Sequence, residues 1–121
     1  MEEGPVYRKS YDFAIRIVKL SRHLQKEFKE YTLSKQVLRS GTAIGALVSE
    51  SKYAQSRPDF ISKLHVALKE ANETHYWLRL LKDTGYIDSP AFESMEKDNL
   101  ELLRLLTAIL NTSKKTPNQN Y

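Results

Sequence analysis

The sequence predicts an all-α fold, an up-down-up-down antiparallel four-helix bundle, from three observations. Glycine and proline are scarce, at four each, and stand where long helices would begin or end. Between those stops, apolar residues recur at three- and four-residue steps. The connections left over are short, which favours antiparallel neighbours. The expected domain covers 1–112, with helices at about 6–28, 33–55, 58–84 and 90–111, and a disordered tail over 113–121.

The first helix begins near Pro5 or Tyr7 and ends at Phe28, before a short turn at Lys29–Thr32. The second carries Gly41 and Gly45, four apart and so on neighbouring positions, which either allow a close helix approach or mark a bend. Leu33, Val37, Ile44, Val48 and Ser51 share one of its faces. Pro58 suits the first turn of the third helix, and Gly85 suits its C-terminal stop. Along that helix Phe60, Leu64, Ala67, Ala71, Leu78 and Leu81 follow helical spacing. The fourth helix repeats the device: Ser89 is the expected cap, Pro90 takes the first turn, and Glu93 lies near the start, where negative charge is favoured. The tail, SKKTPNQNY, has no periodicity.

Composition narrows the class. A chain of 121 residues with 40% hydrophobic and 28% charged residues is one ordinary domain with a core. The absence of cysteine excludes disulfides and thiolate metal sites. The N-terminus, MEEGPVYRKS, lacks a basic start followed by an apolar run, and no stretch approaches the ~20 apolar residues that span a bilayer. A cytoplasmic location without membrane association is therefore expected.

Charge is unevenly distributed. Residues 8–39 hold nine Lys/Arg against three Asp/Glu, and residues 70–101 hold three against eight. Either the two halves attract each other, within one bundle or between subunits, or the basic half faces an anionic partner.

Two helices carry more apolar surface than one bundle usually hides. On the first, the stripe Phe13, Ile17, Leu20, Leu24 and Phe28 runs beside Tyr7, Tyr11, Ala14 and Val18. On the fourth, Leu100, Leu102, Leu103, Leu105, Leu106, Ile109 and Leu110 leave only a narrow polar strip. A bundle helix normally buries a face of about 100°. The surplus predicts a homo-oligomer.

Nothing in the chain names a reaction. His23, His65 and His75 show no metal-ligand spacing, and His75 reads as a core or interface residue. No glycine-rich phosphate loop or nucleophile elbow occurs. The expectation is a non-enzymatic protein with no cofactor, no metal and no small-molecule substrate. Glu70 and Glu73 lie beside apolar residues and need cationic partners, for which Arg39 and Lys63 are the candidates, with Glu50 on nearly the same flank as Arg39. Arg8, Lys19, Arg22, Lys26 and Lys29 project within roughly one hundred degrees of one another on the first helix, and Lys35 follows soon after. Cations clustered in this way can release counterions from a nucleic-acid backbone, RNA or DNA.

The segments LRSGTAIGALVSES and AQSRPDFISKLHVALKEANETHYWLRLLKDTGYI resemble the bacterial four-helix bundle proteins encoded by intervening sequences in 23S rRNA genes. The spacing of Arg39-Ser40-Gly41-Thr42, Ile44-Gly45-Ala46, Ala67-Leu68-Lys69-Glu70-Ala71 and Tyr76-Trp77-Leu78 carries the likeness, and Leu47 stands where the family usually has asparagine. The resemblance implies assembly as a homopentamer. It also implies kinship with the accessory protein of diversity-generating retroelements, which meets nucleic acid through a basic surface. Arg39, Glu50, Lys69, Glu70 and Glu73 match the family's recurring polar residues, expected as inter-helix or inter-subunit pairs. The combined expectation is an RNA-binding or accessory scaffold. The alternative is a protein-interaction module that uses the acidic half and binds no nucleic acid.

Overall fold

The structure is a computed structural model that describes the backbone of residues 4–118 and the side chains of residues 4–113. Four helices follow in order: α1 (Pro5–Phe28), α2 (Leu33–Ser51), α3 (Arg57–Asp83) and α4 (Ser89–Asn118). Each packs against its neighbours in sequence, and α4 returns to α1 along the least extensive of the four seams. No helix among the described residues is long and apolar enough to cross a membrane.

Local chemistry explains the boundaries. Lys29 ends α1 in the left-handed conformation, φ 55°, and its amide donates to Gln25. Glu30 then caps α2, its carboxylate accepting the amides of Ser34 at 2.8 Å and Thr32 at 3.3 Å, which places negative charge at the positive end of the helix. Helix α2 stops four residues before the expected position 55. There the amides of Lys52, Tyr53 and Ala54 turn to carbonyls three residues back, a tightened last turn. Ser56 caps α3 by accepting the Asp59 amide, while Asp59 reaches back to the amide of Gln55.

The cap of α4 corrects the expectation. Asp88, not Ser89, accepts the Ala91 amide at 2.9 Å, and Ser89 is already helical. Helix α4 also runs past the expected end at 111. Ser113 is buried one step beyond Leu102, Leu106 and Leu110, so the core-facing stripe continues on a small polar residue that hydropathy does not register. The tail expected from 113 falls outside the described residues beyond Asn118.

The core is the sum of the four inner stripes: Phe13, Ile17 and Leu24; Val37, Ile44 and Val48; Leu64, Leu78 and Leu81; Leu102, Leu106 and Leu110. Small and polar residues fill its middle. Ile17 lies on the bare backbone of Gly41, where a Cβ would come within 2.7 Å of it, and the Ser10 carbonyl lies 3.1 Å from the position of a Cβ on Gly45. The two glycines therefore allow close approach, within a helix that runs unbroken through both. The buried hydroxyls of Ser40 and Thr74 bond at 2.9 Å across α2 and α3. Asn99, fully buried, donates to the Ala71 carbonyl at 3.1 Å and leaves its own Oδ1 without a partner.

Much of the surplus expected on α4 is absorbed within one chain. Leu103, Leu105 and Ile109 tuck partly against the core, and Leu100 alone of that group is exposed, at 36%. A wheel of one helix assigns it a single neighbour, whereas α4 touches both α3 and α1. On α1 the excess is visible: Tyr11 is 68% exposed, and Ile15 and Phe28 are also open. Leu47 is half-buried against the core.

Candidate nucleic-acid interface

Helix α1 buries Val6, Ser10, Phe13, Ile17, Ser21 and Leu24, and that stripe fixes which side chains face away. At 100° per residue, Arg8, Lys19, Arg22 and Lys26 fall within about 60° of one another, along roughly 27 Å of helix. All four are exposed, as are Lys29 at the helix end and Lys35 in the first turn of α2. Asp12 and Ile15 interrupt the row, both exposed.

The basic half divides into two sets. Lys9, Arg16 and Arg39 turn to the acidic half. Lys9 reaches Glu101 at 2.8 Å. Arg16 meets Asp98 at 2.6 Å and also donates to the Ser94 hydroxyl at 2.9 Å. Arg39 bridges α2 to α3 through Glu70, at 3.2 Å, and Glu73. Glu73 further accepts the Trp77 indole N–H at 3.0 Å. The hydrogen bond from Lys9 holds the Glu101 carboxyl below its ordinary value. The other six cations, Arg8, Lys19, Arg22, Lys26, Lys29 and Lys35, form no ion pair among the described residues. Attraction between the basic and acidic halves within one bundle thus accounts for three cations and leaves six facing outward.

The remaining polar positions fall out differently. Lys63 pairs within its own helix, with Asp59 at 3.2 Å, and does not serve Glu70. The Asp59 carboxyl is held low by the Gln55 amide first and Lys63 second. Glu50 and Lys69 are exposed and make no interhelical pair among the described residues. His75 sits at the α3–α4 interface, its Nε2 2.8 Å from the Glu96 carboxylate, a contact that spacing on one helix could not reveal. No cluster of three or more histidines or carboxylates able to hold a metal occurs among the described residues.

A groove that spacing could not show opens at the end of the α1–α4 seam where α4 begins. Gly85 takes φ 86°, and the chain folds back so that the Tyr86 and Ile87 amides both approach the Leu81 carbonyl. Tyr86 thereby meets Phe28 edge-to-face, with ring centroids 5.3 Å apart, and Phe28 in turn meets His23 at 5.9 Å. Leu20, Ile87, Ala91 and Met95 floor the groove beside this aromatic row.

What such a surface can do is neutralise phosphates. A row of unpaired cations on a rigid helix attracts a polyanion in a salt-dependent manner, and aromatic rings beside it can stack bases.

Comparison with known proteins agrees with the architecture. The sequence pattern of the 23S rRNA-intervening sequence protein family matches residues 2–108. A solved structure from Bacteroides thetaiotaomicron, described as a protein of unknown function from the S23 ribosomal protein family, is 54% identical, with a TM-score of 0.86. The match covers 87% of this chain and 97% of that one. Comparison with curated proteins returns no match. With the pattern matched over nearly all of the bundle and a solved relative sharing its fold, the chain belongs to the 23S rRNA-intervening sequence protein family.

Proposed function

We propose that the protein is a non-enzymatic, self-associating scaffold that binds nucleic acid, RNA first, through the outer face of α1. The observation that carries this reading is the division of the basic half: three cations serve the fold and six are left outward. A solvated face would suffice for solubility, but it would not need its cations sorted so cleanly from those that pair. Self-association, pentameric by resemblance to related bundles, would repeat the row and enlarge the positive field. Its support on the chain, away from that basic face, is the exposed apolar set of Val66, Tyr76 and Leu100.

Gel shift with RNA and DNA across a salt series tests the binding. Affinity should fall steeply with salt, and the triple variant Lys19→Glu, Arg22→Glu, Lys26→Glu should abolish it. Removing a single phosphate-binding cation should flatten the logarithmic salt slope by about 0.7 for single strands and 0.9 for duplex DNA. Flat or absent binding at low salt refutes the reading. Light scattering tests assembly separately, a mass near the 14.0 kDa of one chain counting against it.

A further inference from the structure

Resting on that reading, we propose that the groove between the C-terminal half of α1 and the start of α4 is a base-stacking subsite, which makes the preferred ligand single-stranded nucleic acid rather than a duplex. Leu20, Ile87, Ala91 and Met95 give it an apolar floor, and Tyr86 lines it. Lys19 and His23 stand on its rim, both exposed. Arg16 and Asp88, also at its margin, are committed elsewhere, Arg16 to Asp98 and Asp88 to the Ala91 amide.

Lys19 is the joint between the two surfaces. It lines the groove and also a shallow furrow on the outer face of α1, shared with Tyr11, Ile15 and Arg22. A strand tracking the basic row would pass its phosphates over Arg22 and Lys19 and arrive with a base at the mouth of the groove. Phosphates need cations, whereas a base needs a flat or apolar surface. The two kinds of surface adjoin at this position. The bases of a duplex are stacked on each other and hydrogen-bonded, so they cannot enter. Stacking on aromatic side chains tolerates any sequence, because every base has a π-face.

The test measures fluorescence anisotropy of a labelled twelve-nucleotide RNA of mixed sequence, alone and annealed to its complement, with the full chain at several salt concentrations. The single strand should bind at least tenfold more tightly than the duplex. Tyr86→Leu and Ala91→Leu, the first removing the ring and the second filling the groove, should each weaken single-strand binding by roughly five- to a hundredfold, the range for losing one stacked base. Duplex affinity and the salt slope should stay unchanged, and Tyr86→Phe should retain the preference. Equal binding of the two forms, or Leu variants that keep the wild-type preference, overturns the subsite while the triple charge reversal still abolishing both leaves the basic-face reading intact. Binding of neither form overturns both.

Discussion

Helix α1 meets its two neighbours in opposite ways. Against α2 it comes near enough for Ile17 to rest on the backbone of Gly41 and for the Ser10 carbonyl to approach Gly45. Against α4 it packs least extensively, bridged by Lys9–Glu101 and by Arg16–Asp98, whose side chains remain more than a third exposed. The first seam depends on shape and excluded water, and the second is bordered by charges that water and salt screen. A seam of the first kind tolerates almost no added atom. A seam of the second kind can gape, and the groove lies where it does.

The contrast between the seams is most sharply tested at Gly41. Gly41→Val should destabilise the protein by about 1–3 kcal/mol, because its new carbons must displace Ile17 within a packed core. Urea denaturation would show it, and Ile17→Ala in the same chain should recover part of the loss. A neutral Gly41→Val would mean that the α1–α2 seam is not close-packed. Next comes the dry α2–α3 seam: Thr74→Val leaves the buried Ser40 hydroxyl without its partner, for a loss of about 1–2 kcal/mol in the same assay.

On α4 the sign reverses. Asn99→Leu removes a buried oxygen that has no donor, so stability should rise by about 1 kcal/mol, read as a higher urea midpoint. A fall would show that the amide holds α4 in register against Ala71. The smallest effect belongs to the α1–α4 ion pairs. Glu101 has its pKa lowered from 4.5, chiefly by the hydrogen bond from Lys9, so its contribution is present above that value and is lost as pH falls through the lower folded one. Glu101→Gln should therefore lower the urea midpoint slightly at about pH 7 and less at an acidic pH below the lowered folded value, and the difference should shrink in high salt. An equal deficit at both pH values would make the effect one of packing.

The fold was legible because its punctuation is local. Pro58 and Gly85 act through their own backbones, and Leu64, Ala67, Ala71, Leu78 and Leu81 mark a stripe without reference to any other helix. Ser10, Ser21, Ser40 and Thr74 were not legible as core. They look polar, yet each is buried where helices approach closely. Much of the width of the α4 stripe is taken up by two neighbours within the chain, which the wheel of a single helix does not show. At the candidate interface, the row Arg8, Lys19, Arg22 and Lys26 could be read from spacing. That Lys9 and Arg16, on the same helix, would be drawn to α4 depends on how α1 is rotated in the bundle. The aromatic row was hidden more deeply still: Phe28 and Tyr86 are far apart in sequence and meet only because Gly85 turns the chain back.

The seating of Ile17 on Gly41 has a consequence for recognition. It locks α1 to α2, so the outward cations sit on a stiff double rod and not on a single helix free to roll. Their backbone spacing is set before any ligand arrives. The conformational freedom surrendered on binding then belongs mainly to the cation side chains and to the incoming strand, and the protein scaffold has almost none left to lose.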